Sequence, residues 1–156
     1  MSVKHLAIKQ YREIVDRAAA AVDKQLSRPS EGWIATTRTA LGMSAAQLAR
    51  RLRVTRARVS QAEHAELSGG VTLKTMQSMA EAMGCRFVYA IVPQDASIEN
   101  AIKAQAHRKA VALVNKASTH MALERQSLSV AKNKEEIERI ASELMHTMPA
   151  DFWAAD

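Results

Sequence analysis

Apolar residues recur every three or four positions along most of the chain, a spacing that places them on one face of an α-helix. This spacing predicts a first helix over residues 3–26 and a second that carries Trp33, Ile34 and Leu41, with Ser30 as its N-cap and Gly42 at its end. Further along, it predicts a long helix over residues 96–125 and a last helix that begins at Asn133. We therefore expect a mainly helical protein.

Three shorter helices are predicted in the middle of the chain, each after a hydroxyl side chain that can accept a hydrogen bond from the first turn. They cover residues 45–52 after Ser44, residues 56–64 after Thr55 and residues 73–83 after Thr72. Only Arg53 and Val54 separate the first of these helices from the next cap. A short helix, a tight turn and a second helix are the parts of a helix-turn-helix.

The segment 86–92 is dense in residues that favour β-structure and predicts a short strand. A lone strand has unpaired backbone groups along both edges. We therefore expect it to pair with the same strand of a second copy through Phe87, Tyr89 and Ile91, giving a two-fold dimer. A hairpin with residues 71–72 is the alternative.

Length and composition exclude several classes of protein. The chain has 156 residues, of which 47% are apolar, enough for one ordinary core or two small ones. No apolar run approaches the roughly 18–20 residues of a membrane helix, and the N-terminus lacks the apolar segment of a signal peptide. We expect a cytoplasmic protein with no membrane partner. The chain has a single cysteine, Cys85, which excludes an intrachain disulfide and a thiolate metal cluster. We expect it to be a small core residue, with a redox-sensing role as the alternative.

The sequence lacks the motifs of common enzyme classes. Its five histidines are scattered, with no His-Glu-x-x-His pair, and there is no glycine-rich phosphate loop or Gly-x-Ser-x-Gly. We therefore predict no catalytic residue, no metal site and no cofactor, and expect a protein that is not an enzyme.

Positive charge is concentrated in one segment. The net charge of the chain is +6, and residues 28–62 hold seven arginines against one acid, Glu31. The excess positive charge therefore lies in this segment. Such a patch is typical of nucleic-acid-binding proteins, with a solvated basic face as the alternative.

In a helix-turn-helix the second helix enters the major groove of DNA and its first residues reach base edges. Opposite the inward-facing Val59 and Ala62, the residues predicted to face the bases are Arg56, Ala57, Ser60 and Gln61. Arginine can pair with guanine, glutamine with adenine, and alanine can contact the thymine methyl group. The residues predicted to contact phosphates are Ser44, Gln47, Arg50, Arg53, Thr55, Arg58, Thr72 and Lys74. The hydroxyls in this set can cap helices and contact phosphate as well.

Together these elements predict a mainly α fold with a lambda-repressor-like helix-turn-helix, one short β-strand and flanking N- and C-terminal helices. The predicted parts are an N-terminal helix over residues 1–28, a helix-turn-helix domain over residues 29–93 that includes the strand 85–92, and a C-terminal helical region over residues 94–156.

Residues 33–83 resemble the helix-turn-helix domain of the phage-repressor (XRE) class. The match is carried by Leu-Gly-Met-Ser-Ala-Ala-Gln-Leu-Ala (41–49) and Val-Thr-Arg-Ala-Arg-Val-Ser-Gln-Ala-Glu (54–63). The resemblance implies a salt bridge between Arg38 and Glu63. Arg53 stands where the class usually has glycine, and in a left-handed conformation arginine costs about 1 kcal/mol more than glycine.

A second resemblance extends over most of the chain. Pro-Ser-Glu-Gly-Trp-Ile (29–34), Met-Gly-Cys-Arg-Phe-Val-Tyr-Ala-Ile-Val-Pro (83–93), Met-Ala-Leu-Glu-Arg-Gln (121–126) and the Phe-Trp tail look like the mobile mystery protein A family. Its members are encoded beside a Fic-domain protein, mobile mystery protein B. The resemblance implies a toxin–antitoxin module in which this chain is the antitoxin.

Fic inhibitors often carry a Ser/Thr-x-x-x-Glu-Gly/Asn motif. The nearest match here is Asp95 followed by Glu99 and Asn100, so these two residues are candidates for Fic inhibition. A solvated acid in a first helical turn is the alternative for Glu99.

We therefore expect a sequence-specific repressor that binds a double-stranded DNA operator, forms a homodimer, acts as the antitoxin of a Fic-domain toxin and regulates its own operon. The alternative is an interaction module that neutralises a Fic partner with little specific DNA binding of its own.

Overall fold

The computed structural model describes residues 3–123 and 130–155, with side chains except at residues 121–123. In this part of the chain the helices are α1 (Val3–Ala21), α2 (Trp33–Ala40), α3 (Ala45–Leu52), α4 (Arg56–Ser68), α5 (Leu73–Ala82), α6 (Ile98–Leu123) and α7 (Val130–Thr147). The mainly helical fold predicted from the sequence is confirmed. None of the described helices is long and apolar enough to cross a membrane.

The chain forms two compact units, named here after their place in the sequence. The central unit is Asp23–Ala90, and the terminal unit combines Met1–Val22 with Ile91–Asp156. The central unit contains α2–α5, and its core consists of Ile34, Leu48, Ala49, Val59, Ala62, Met76, Met79 and Met83. These residues lie at helical spacing on the inward faces, so their burial fixes which face each helix turns to solvent.

Side-chain caps explain where three helices of the central unit begin. Ser44, Thr55 and Thr72 are in extended conformations, and their side chains accept hydrogen bonds from backbone N–H groups three residues later, at 3.0–3.2 Å. Each cap satisfies a donor that the helix itself leaves without a partner. Substituting such a cap by alanine typically costs about 1 kcal/mol.

The helix α2 begins differently from the prediction. Its N-cap is Gly32, with φ 82° and no side-chain cap, so Ser30 does not cap it. The carboxylate of Glu66, more than thirty residues away in sequence, caps the helix in its place. Its Oε1 accepts from the Trp33 N–H at 2.6 Å and its Oε2 from the Ile34 N–H at 3.0 Å. Glu66 is on α4, which is one turn longer than predicted and ends at Gly69 in the left-handed conformation.

The predicted strand is wrong. Segment 85–92 has no strand or bridge, and the described residues contain no other strand with which it could pair. Of the residues predicted to pair two copies, Phe87 instead packs partly buried against the core of the central unit, while Tyr89 and Ile91 are exposed. Preference for β-structure measures how side chains fit a half-buried surface, and a strand forms only where a neighbour pairs with its backbone.

The hairpin alternative is also wrong. The N–H of Val71 donates to the Ala65 carbonyl at 3.1 Å, and Thr72 caps α5. Both residues are therefore engaged in the connection between α4 and α5.

The terminal unit is built on the pair of α6 and α7, which meet through residues with small or branched side chains. Its core consists of Ile102, Ala106, Ala110, Ala141 and Phe152. Alanines at this spacing let two helices approach closely. The third helix, α1, is linked to α6 by Asp16, whose Oδ1 accepts from the Ile98 N–H at 2.9 Å.

The two adjacent aromatic residues near the C-terminus have different environments. Phe152 is 1% exposed in the core of the terminal unit, and its carbonyl accepts from Gln105 Nε2 at 2.8 Å. Trp153 lies at right angles to it, with 5.0 Å between ring centroids, and is exposed. Phe152 therefore anchors the tail within the chain.

Some predicted helix ends differ from those observed. The first helix ends at Ala21 and not at residue 26, and α7 begins at Val130, so Asn133 lies inside it. The end of the predicted helix 96–125 and the side chains of residues 121–126, which carry part of the second resemblance, lie outside the described residues.

Candidate nucleic-acid interface

The turn between α3 and α4 depends on one residue in an unusual conformation. Arg53 has φ 57° and ψ 41°, in the left-handed region that glycine adopts more readily. Its N–H donates to the Arg50 carbonyl at 3.2 Å, and the Val54 N–H donates to the Ala49 carbonyl at 3.0 Å. These bonds close α3 and allow α4 to begin at Arg56, three residues after the turn. Arg53 therefore has a strained backbone conformation at an exposed position.

The helix α4 has one buried face and one exposed face. Val59 and Ala62 are buried at 0% and 3% exposure. The four residues predicted to face bases, Arg56, Ala57, Ser60 and Gln61, are all exposed. Their side chains form no hydrogen bond or ion pair with the other described residues. The outer face of α4 is therefore polar and open to a ligand.

The seven arginines of residues 28–62 fall into two groups. Three of them hold the central unit together. Arg28 donates to the carbonyls of Glu66 and Leu67, Arg38 pairs with Glu63, and Arg51 Nε donates to the Ala82 carbonyl. The other four are exposed and have no partner among the described residues: Arg50, Arg53, Arg56 and Arg58. The sequence alone does not separate these two groups.

The ion pair implied by the resemblance to the phage-repressor class is present. Arg38 Nε donates to Glu63 Oε1 at 2.7 Å, and Nη2 donates to Oε2 at 3.4 Å. Arg38 Nη1 also donates to the Met43 carbonyl at 3.0 Å. Both side chains are less than one-fifth exposed. The pair therefore joins α2, the loop before α3, and α4, which fixes the outer face of α4 relative to its neighbours.

The residues predicted to contact phosphate are all exposed, but their hydroxyls are not equivalent. Ser44 and Gln47 form a reciprocal capping box, in which Gln47 Oε1 accepts from the Ser44 N–H at 2.7 Å. The Thr72 hydroxyl donates to Thr75 Oγ1 at 2.9 Å. The hydroxyls of Ser44 and Thr55 only accept within the described part of the chain, so their O–H groups remain available as donors to a phosphate. Lys74, in the first turn of α5, is exposed.

Sequence reasoning missed Glu66, which lies beyond the end of the predicted helix 56–64. It is 5% exposed on the inward face of α4, seven residues after Val59. Its charge lies at the N-terminus of α2, where the helix dipole and unpaired N–H groups favour an anion. One signal in the sequence could have revealed it: Glu66 is a charged residue at a position that continues the apolar helical spacing of Val59 and Ala62.

The two candidates for Fic inhibition lie in the terminal unit, in the first turn of α6. Glu99 pairs with Lys103 at 2.8 Å, and the hydrogen bond and charge of Lys103 lower the pKa of the Glu99 carboxyl. The backbone N–H of Asn100 donates to Ser97 Oγ at 3.2 Å. Both residues are exposed.

Comparison with known proteins finds a family match within the central unit. Residues 34–89 match the model of a family described as "Helix-turn-helix", of the XRE type, which covers about a third of the chain. Families of this kind are DNA-binding transcription regulators and are generally not enzymes. Searches of curated proteins and of solved structures gave no significant match.

Proposed function

We propose that this chain represses transcription by binding a specific DNA operator, with α4 in the major groove. One observation carries the proposal. Arg50 in the last turn of α3, Arg53 in the turn, and Arg56 and Arg58 at the start of α4 are exposed and have no partner in the described part of the chain. Unpaired guanidinium groups complement the negative charge of the DNA phosphates. The hydrogen-bonding side chains of the adjacent helix complement the donors and acceptors on base edges in the major groove.

The roles within this interface follow from position along α4. Arg56 and Gln61 reach base edges, where arginine pairs with guanine and glutamine with adenine. Arg50, Arg53 and Arg58 lie beside them and contact phosphates, which sets the position of the helix without reading sequence.

The test is fluorescence anisotropy of the full chain with the duplex upstream of its own gene and with a scrambled duplex, at about 150 mM salt. The upstream duplex is expected to bind at least ~10³-fold more tightly. Equal and weak binding of both duplexes would contradict the proposal.

Two variants separate base reading from phosphate contact. Arg56→Ala is expected to weaken operator binding by about 1–3 kcal/mol and to relax base preference at one position. Arg58→Ala should weaken the two duplexes alike. Arg17→Ala, which removes one exposed arginine from the terminal unit, is the control and should leave both affinities unchanged. Equal losses on both duplexes for Arg56→Ala would refute its base-reading role.

We also propose that two copies bind one operator. A single recognition helix reads only a few base pairs, and helix-turn-helix dimers contact two half-sites one helical turn apart. Sedimentation of the protein–operator complex should give two chains per duplex. A complex with one chain per duplex that retains full specificity would contradict this proposal.

A second candidate function is neutralisation of a Fic-domain partner. It is supported by the resemblance to mobile mystery protein A and by a compact terminal unit outside the helix-turn-helix match, with Glu99 and Asn100 exposed in α6. In this proposal the chain is the antitoxin and represses its own operon together with the toxin.

The test is co-purification with the Fic-domain protein encoded beside the gene, followed by an assay of that protein's activity. Glu99→Ala should retain binding and lose inhibition, whereas Glu143→Ala, another exposed and ion-paired acid, should retain both. Inhibition that survives Glu99→Ala would exclude Glu99. Partner binding without discrimination between operator and scrambled duplex would favour the interaction module over the repressor.

A further inference from the structure

The central unit contains a cavity that DNA binding does not explain. Its volume is about 350 Å³, within the range of small-molecule sites. Four parts of the chain form its walls: the segment before α2, α2 itself, α5 and the segment that follows α5. The apolar part of its lining comprises Leu26, Trp33, Ile34, Met76, Ala80, Met83, Phe87 and Val88. Ile34, Met76 and Met83 also belong to the core of the unit, so the floor of the cavity is a fixed part of the fold.

Few polar side chains line this cavity, and one of them is charged. Arg86 is exposed, and its side chain has no hydrogen bond or ion pair within the described part of the chain. The other polar groups are the Thr37 hydroxyl and the thiol of Cys85, which is exposed and not the core residue that the sequence predicted. A guanidinium presents parallel donors that match the two oxygens of a carboxylate.

We propose that this cavity binds a small organic acid with an aromatic or aliphatic body, whose carboxylate pairs with Arg86. The apolar walls would contact the body of the ligand, and the unpaired guanidinium would pair with its carboxylate. The exposed guanidinium stays hydrated beside a neutral ligand, gains a charged hydrogen bond from an acid and repels a cationic ligand. This site is separate from the DNA contacts proposed above and does not depend on them.

The chain supplies two reporters for a binding test. Trp33 lines the cavity, and a Trp153→Phe background leaves it as the only tryptophan. Cys85 also lines the cavity and is the only cysteine, so its rate of alkylation by iodoacetamide reports whether the space is occupied. The probes are phenylbutyrate and phenylbutanol, which share an apolar body and differ in charge.

Phenylbutyrate is expected to change Trp33 fluorescence and to slow alkylation of Cys85, with an affinity about three- to fivefold higher than that of phenylbutanol, the effect of an ion pair at an exposed guanidinium. Arg86→Gln should weaken phenylbutyrate by about the same factor and leave phenylbutanol within about 1.5-fold. Ala80→Phe, which fills the cavity, should weaken both probes. Circular dichroism establishes that each variant is folded.

Three results would overturn the proposal. The first is the absence of binding by both probes up to millimolar concentration. The second is equal affinity of wild-type protein for the acid and the alcohol, or an unchanged preference in folded Arg86→Gln. The third is protection of Cys85 only in the presence of a second protein, which would assign the cavity to a side chain of that protein.

Discussion

Removing the carboxylate of Glu66 should destabilise the central unit more than any other single change to a charged residue. Its two oxygens accept from the N–H groups of Trp33 and Ile34 at 2.6 and 3.0 Å, at a position that is 5% exposed. Hydrogen bonds to charged groups contribute about 1.5–3 kcal/mol each. Burial of the carboxylate offsets part of the sum, so we expect Glu66→Ala to lower the free energy of unfolding by about 3 kcal/mol.

Glu66→Gln should have an intermediate effect of about 2 kcal/mol, because the amide keeps one acceptor and turns a donor toward the second N–H group. The bonds from Arg28 persist in both variants, since they go to backbone carbonyls. Glu81→Gln is the matched control. Glu81 is an exposed acid in the same unit with one side-chain hydrogen bond, and its change should be below about 0.5 kcal/mol.

The assay is urea unfolding followed by Trp33 fluorescence in a Trp153→Phe background, with the midpoint shifted and the slope unchanged. A Glu66→Ala midpoint equal to that of the Glu81→Gln control would refute the reasoning.

A double-mutant cycle with Gly32 tests the same contact from the other side. A Cβ at Gly32 would lie 2.8 Å from Glu66 Oε2, and φ at this residue is +82°. Gly32→Ala should therefore be severe in the wild-type protein. In the Glu66→Ala background only the backbone strain of about 1–3 kcal/mol should remain, because φ 82° and ψ 163° lie in a region that is essentially confined to glycine. Additive costs would show that the carboxylate does not occupy this position.

Three further changes test other contacts of the fold. Arg53→Gly should raise the free energy of unfolding by about 1 kcal/mol, because glycine adopts the left-handed backbone conformation without strain, and it should lower DNA affinity. A lower stability in urea would contradict the strain argument. Arg38→Ala should cost about 2–3 kcal/mol because it leaves the largely buried carboxylate of Glu63 unpaired, and adding Glu63→Ala should cost little more. Additive costs in urea unfolding would contradict this coupling. Phe152→Ala should cost about 3–5 kcal/mol, measured by hydrogen exchange of α6 amides, whereas Trp153→Ala should change little; similar effects of the two would contradict the anchoring role.

Local chemistry explains which parts of the fold the sequence predicts well. The starts of α3, α4 and α5 are determined by Ser44, Thr55 and Thr72, each of which bonds a backbone group three residues away. Such signals lie within one helical turn and can be recognised without knowing the tertiary structure.

Two of the errors arise where the deciding partner is distant in sequence. Ser30 has the chemistry of a cap, yet Glu66 caps α2 from more than thirty residues away, which no local pattern reveals. Segment 86–92 has the composition of a strand, but the packing of Phe87 against the helical core takes the place of strand pairing. In both cases tertiary contacts override local preference.

The division of the arginines leads to a quantitative prediction for DNA binding. If all seven arginines of residues 28–62 neutralised phosphates, the slope of log Kobs against log salt would be about −6 per bound chain. Arg28, Arg38 and Arg51 are instead committed to contacts within the central unit. The cations predicted to contact phosphate are Arg50, Arg53, Arg58 and Lys74, which together give a slope of about −3.6 per chain.

Anisotropy titrations between about 50 and 200 mM salt, normalised by the measured stoichiometry, distinguish these values. Removing one of the four cations, as in Arg50→Ala, should reduce the slope by about 0.9. Arg51→Ala should leave the slope unchanged, because its guanidinium is held by the Ala82 carbonyl. A slope near −6, or a reduction of the slope in Arg51→Ala, would mean that arginines which hold the fold together in this structure also reach DNA.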